Sequence, residues 1–172
     1  MKYALLLVVV LLASCRDDTG EKMPSPVNIT AESTARFCGM NLVEMPGPKA
    51  EVILQGEPSV LIFAQVRDGI AYMKQPERTA RILAFYVSDM ARAKSWEQPG
   101  ADNWIDGKTA FYVVGAAVKG GMGAPELAPF ATRADAEKFA QEKGGVVMQL
   151  DAIPDNAVLG SVPHPAQNIK GN

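Results

Sequence analysis

Glu51-Val52-Ile53-Leu54-Gln55-Gly56-Glu57-Pro58-Ser59-Val60-Leu61-Ile62-Phe63 consists of two apolar runs, rich in β-branched residues, separated by a polar quartet of turn formers. That pattern predicts two strands joined by a short hairpin. Downstream, Val66, Ile70 and Met73 fall at helical spacing within residues 65–75, and Pro76 stops the helix. Residues 82–87 alternate and are again aromatic and β-branched, which predicts a returning strand. Together these segments make a ββαβ unit.

The same order recurs in the second half. Residues 103–105 and 109–114 flank Asp106-Gly107, a dipeptide that predicts a hairpin because glycine reaches positive φ at little cost. After a Gly-rich connection, residues 133–143 predict a helix capped by Thr132, with Ala136, Phe139 and Ala140 on one face and Gly144-Gly145 ending it. Residues 146–150 close the unit as a strand. Phe63-Ala64, Asp68 and Tyr72 recur as Phe130-Ala131, Asp135 and Phe139 at one constant offset, the mark of an internal duplication. The expected fold class is α+β: two tandem ββαβ repeats with antiparallel or mixed sheets, each carrying one helix. From Pro154 onward the chain is polar and rich in Pro and Gly, and reads as a loosely packed tail.

Working outward toward the N-terminus, residues 16–35 hold charges, Pro24, Pro26 and several Ser and Thr, with little apolar periodicity. They read as a tether. Ahead of them, Lys2 precedes an apolar run over residues 5–12 that is too short to span a bilayer, and Leu12-Ala13-Ser14-Cys15 follows. Small residues before a cysteine form a lipobox, so Cys15 is expected to be lipidated and the chain cut before it. Two or three acyl chains anchor stably where one is marginal. The expected division is a lipoprotein signal over 1–14, a lipidated N-terminus and tether over 15–35, a first ββαβ unit over 36–90, a second over 91–159, and a tail over 160–172.

Composition excludes other classes. A formal net charge of -2 with interspersed signs gives no electrostatic footprint for nucleic acid. An apolar fraction of 48% is that of a globular chain able to build its own core. It has to, because export to an oxidising compartment with Cys15 given to lipid leaves Cys38 alone and closes the intramolecular disulfide route.

Chemistry is therefore sought around Phe37-Cys38-Gly39-Met40. In an extended segment, side chains two residues apart point to one side, so the Cys38 thiolate and Met40 thioether would converge on one ion. Such a soft pair favours Cu(I) over Zn, Mg or Ca. Both are also adaptable core residues, and that reading stands beside the first. Met122, in Lys119-Gly120-Gly121-Met122-Gly123-Ala124-Pro125, lies in a loop too rich in glycine for a core strand. Either it closes over an ion held by Cys38 and Met40, or it packs its loop against the sheet. His164, the only histidine, sits in a Pro163-His164-Pro165 tail as a further candidate ligand or a solvated residue. Met45, Met73, Met90 and Met148 are weaker candidates, Met73 and Met148 fitting core positions.

The lipobox, short tether, Cys38-Gly39-Met40, two ββαβ repeats and the Met122 loop leading to Pro129-Phe130-Ala131 resemble the NosL family, over residues 15–159. The resemblance implies a lipid-anchored copper carrier on the periplasmic side, delivering Cu(I) for the copper-sulfide cluster of nitrous oxide reductase. Its partners would be copper, the reductase apo-protein with its assembly factors, and the membrane. Cys38, Met40 and Met122 are then the ligand candidates. Family members often carry a second cysteine or a proline-rich lead before the motif, where this chain has Thr34-Ala35-Arg36-Phe37. That departure leaves a further ligand to come from His164, a backbone group, water or the recipient. The alternatives are a thiol-dependent enzyme on the organomercurial-lyase-like scaffold attributed to the family, or a lipoprotein that only binds a protein partner. Against thiol catalysis, the sequence has no Cys-x-x-Cys, and its only histidine is remote from Cys38.

Overall fold

The computed structural model describes residues 23–77 and 79–160. The first sheet contains β1 (Ala50–Leu54), β2 (Leu61–Phe63), β3 (Ile82–Ser88) and β4 (Trp104–Asp106) in the order β2-β1-β3-β4. Between β2 and β3 runs α1 (Val66–Met73). The second sheet contains β5 (Phe111–Val114), β6 (Ala128–Phe130) and β7 (Val146–Gln149) in the order β6-β5-β7, with α2 (Arg133–Lys143) between β6 and β7. Every strand pair is antiparallel. The α+β class and the two ββαβ repeats of the sequence reading are both present.

Register makes the duplication quantitative. Ala50 faces Phe63 across β1 and β2, and Phe111 faces Phe130 across β5 and β6. Phe63 meets Tyr72 of α1 with ring centroids 5.5 Å apart, and Phe130 meets Phe139 of α2 at 5.2 Å. The matched residues thus make the same strand-to-helix contact in each repeat. In β1 the side chains alternate: Ala50, Val52 and Leu54 enter the main core with Phe63, Ile70 and Phe85, while Glu51 turns to the opposite face. Gly69 lets α1 sit close, since a Cβ there would lie 2.6 Å from the Ala50 Cβ. β5 serves both cores, with Tyr112 in the main one and Val113 in a second around Ala128, Phe130 and Ala136. Each large side chain buried this way contributes roughly 1.5–3 kcal/mol.

Three expectations are corrected. Asp106-Gly107 does turn the chain, with Thr109 and Ala110 amides donating to the Asp106 carbonyl, but its flanking strands do not pair with each other. β4 joins β3 in the first sheet, and β5 founds the second. Gly107 is needed for close approach to Phe85, whose ring a side chain would strike, and it has no positive φ. The second hairpin is instead β5 to β6, across residues 115–127.

The segment read as tether is docked from Pro24 onward. Tyr86 donates its hydroxyl to the Pro24 carbonyl at 2.6 Å, Val27 N–H donates to both Glu51 carboxylate oxygens at 3.1 Å, and Trp104 Nε1 donates to the Val27 carbonyl at 2.8 Å. These are single long-range contacts without periodicity, which is why sequence pattern does not reveal them.

The segment from Pro154 is not a loose tail over its first residues. It forms α3 (Asp155–Leu159), with Val158 buried, and α3 packs against α1. Lys74 bonds Asp155 at 2.6 Å, and Arg67 donates to the Val158 and Gly160 carbonyls at 3.1 Å.

Candidate metal centre

Cys38 stands in a tight reversal. Thr34 and Asn41 form an isolated antiparallel bridge. Inside it the Ala35 amide donates to the Met40 carbonyl at 2.9 Å, and the Gly39 amide to the Ala35 carbonyl at 2.8 Å. Residues 36–38 form a turn, and Gly39 has φ +66. The extended geometry expected for Cys38 and Met40 is therefore not present: the chain turns between them through a left-handed glycine, where a Cβ is disfavoured. Cys38 is a free, half-buried thiol that packs on the cluster of Leu42, Met45 and Ile62. Met40 is half exposed.

What fixes this loop is the end of β2. Arg36 N–H donates to the Ile62 carbonyl at 2.7 Å, and the Phe37 ring meets Phe63 edge-on at 5.1 Å. Asn41 caps a short 3-10 turn at Leu42–Glu44 through the Val43 amide and holds the Ala31 carbonyl with its Nδ2.

Met122 stands in a second reversal with a similar design. Lys119 and Pro125 bridge, the Gly120 amide donates to the Ala124 carbonyl at 2.9 Å, and the Gly123 amide to the Gly120 carbonyl at 2.8 Å. Gly123, directly after Met122, has φ +78, as Gly39 does after Cys38. The paired glycines Gly120 and Gly121 answer to packing: a Cβ on Gly121 would lie 2.9 Å from the Met45 methyl, and one on Gly120 would lie 2.6 Å from a Glu126 oxygen. The Met122 side chain is half exposed.

This loop too is fastened beside β2. Met122 N–H donates to Gln65 Oε1 at 2.7 Å, and Trp96 Nε1 donates to the Lys119 carbonyl at 2.8 Å. The loops of Cys38 and Met122 are thus both attached to the stretch Ile62–Gln65, one from each repeat.

Two buried titratable side chains, Glu126 and Lys49, lie close to these loops. Glu126 accepts from the amides of Val66 at 3.1 Å, Arg67 at 3.0 Å and Leu127 at 2.8 Å, which sets a carboxylate on the N-terminus of α1. Burial pushes its carboxyl up to about 8, against the lowering effect of those hydrogen bonds. Lys49 is enclosed by the carbonyls of Met45, Pro46 and Gly47. Burial brings its amine down to about 8, opposed by attraction to Glu126. Lys49 thereby holds the 45–47 segment on which Gly121 rests.

Among the described residues, no group of three His, Cys, Asp or Glu side chains could hold a metal. Met45 is core, Met90 packs against the second core, and Met73 and Met148 pack on the first. His164 and Cys15 lie outside the described residues. Gln65, Glu126 and Lys49 were not legible as site residues. One signal was present for Gln65: at the offset that aligns the repeats it matches Thr132, the cap of α2.

Comparisons with known proteins agree on one family. The NosL family model matches residues 26–158. The copper-binding lipoprotein NosL of Achromobacter cycloclastes is 48% identical over 155 residues, 90% of this chain and 80% of that protein. The protein of the same description from Stutzerimonas stutzeri is 35% identical over 158 residues, 89% of this chain and 80% of that one. The crystal structure of the copper chaperone NosL from Shewanella denitrificans superposes with a TM-score of 0.70 at 30% identity, covering 76% of this chain and 96% of that one.

Proposed function

The chain belongs to the NosL family, and from that premise we propose that it is a periplasmic, lipid-anchored Cu(I) carrier whose cargo is held by Cys38, Met40 and Met122. The observation that carries this reading is the attachment of two sulfur-bearing loops, one from each repeat, to the single stretch Ile62–Gln65. A thiolate with thioethers is a soft donor set that selects Cu(I), and the half-exposed methionines leave the ion open to an attacking ligand. A carrier needs that opening, whereas a storage site would be closed. Cys15 supplies the anchor through its lipid. The recipient is the apo-form of nitrous oxide reductase with its assembly factors, for building the copper-sulfide cluster.

His164 is a further candidate ligand in this scheme, the alternative being a solvated histidine. Arg67 holds the Gly160 carbonyl at 3.1 Å while also donating to the Pro125 carbonyl of the Met122 loop at 3.4 Å. The chain therefore leaves the described region beside that loop.

Cu(I) titration against a chromophoric chelator tests the reading on the chain lacking residues 1–15. Cys38→Ser is expected to lose at least 100-fold in affinity, with smaller losses for Met40→Leu and Met122→Leu. If all four proteins bind copper alike, the carrier reading is lost. Because the thiol gives up its proton on ligation, affinity is expected to fall with pH by about one proton per copper. A pH-independent affinity removes Cys38 from the site.

A further inference from the structure

We propose that Gln65 is the positioning residue for Met122, in an exchange in which Glu126, and not the N-cap side chain, serves the first amides of α1. The two repeats make the exchange visible. In α2 the N-cap is Thr132, and its hydroxyl accepts from the Asp135 amide at 3.2 Å, an ordinary cap. Gln65 occupies the matching place before α1, in the same extended conformation, yet its side chain makes no cap bond to its own helix. Its Oε1 accepts the Met122 amide instead, and the side chain is almost fully buried, with 1% exposed. The amides of Val66 and Arg67, the first two of α1, are taken by Glu126 from the far end of the Met122 loop, whereas Thr132 serves the third amide of α2. Helix and loop therefore each satisfy the other's polar groups, and neither arrangement stands without its partner.

The exchange has a functional direction. It occurs only where the long second-repeat hairpin loop, residues 115–127, meets the first-repeat helix; the short first-repeat loop, residues 55–60, makes no such contact with α2 among the described residues. With its amide held by Gln65 and its loop anchored at Glu126, Met122 retains freedom chiefly in its half-exposed thioether chain. The loop is ordered before the metal arrives, so binding does not have to order it. Partners one shell out from a metal ligand typically change affinity by about 10- to 100-fold.

This inference rests on Met122 being a copper ligand, and the test separates the two claims. Cu(I) affinity is measured by chelator competition on the full chain in detergent, for the wild type, Gln65→Leu, Met122→Leu and the double variant. The expectation is about a tenfold loss for Gln65→Leu, and no further loss when it is added to Met122→Leu. A Gln65→Leu protein that binds as the wild type overturns the positioning role alone, as does an equal loss with Met122 already replaced. A Met122→Leu protein that binds as the wild type overturns both claims. Should Gln65→Leu fail to fold, hydrogen exchange in the unaltered apo-protein decides: the Met122 amide is expected to be protected, and exchange at the open-chain rate contradicts the proposal.

Discussion

The two repeats share a scaffold and differ in what their first hairpin presents. In the first, β1 and β2 are joined by residues 55–60; in the second, β5 and β6 are joined by residues 115–127, and the extra length holds Met122 and Glu126. Helix α2 is capped from within its own repeat by Thr132, whereas α1 is capped by Glu126 from the other repeat. The two repeats share one frame, and the longer loop of the second docks on the helix of the first. The proposed site therefore draws on both repeats.

The comparison is broken most strongly at Glu126. Glu126→Ala leaves three buried amides without an acceptor and detaches the Met122 loop, with an expected cost of about 3 kcal/mol in urea unfolding. Thr132→Ala removes a cap on an exposed helix end and is expected to cost about 1 kcal/mol. Equal costs would mean that the caps of α1 and α2 do not differ as described.

Next comes Gly69, whose match in α2 is Ala136. In α1 a methyl would meet the Ala50 Cβ at 2.6 Å, so Gly69→Ala is expected to destabilise by about 1 kcal/mol, strain exceeding the gain in helix propensity. Ala136 is fully buried in the second repeat, and Ala136→Gly is expected to destabilise as well. A stabilised Gly69→Ala would show that α1 can lift off β1.

The smallest effect is in pH. Glu51 is pushed up to about 7 by burial, while its match in β5, Tyr112, is pushed up far beyond the working range. Glu126 moves in the same direction as Glu51. The folded chain then holds protons that an unfolded chain, with carboxyls near 4.5, has released. The stability from these two groups is therefore fully present below about 4.5, declines as pH rises from there, and is gone once pH has passed the folded values of about 7 and 8. The melting midpoint of the apo-protein is expected to rise a few degrees from pH 8.5 to pH 6, and Glu51→Gln should reduce that rise. An unaltered slope in Glu51→Gln would deny the first sheet its share of it.

Much of the scaffold was legible because periodicity and caps are local. The α2 limits, Arg133 to Lys143, follow from Thr132 and Gly144 as expected. The partner of β4 was not, because Asp106-Gly107 specifies where the chain turns and says nothing about which sheet the strand joins. β6 is three residues long and contains Pro129, too little for a strand signal. At the site, residue types pointed to Cys38, Met40 and Met122, but the extended reading of this segment misses that Gly39, with φ +66, is the turning point. Gln65 and Glu126 act through one and two hydrogen bonds between repeats, which no window of sequence contains.

The central claim, that loops from both repeats share one ion, is tested most directly by X-ray absorption at the copper edge of the Cu(I)-loaded protein. Three sulfur neighbours are expected in the wild type and two in Met122→Leu. A sulfur count unchanged by Met122→Leu, or a shell dominated by nitrogen and oxygen, would contradict it.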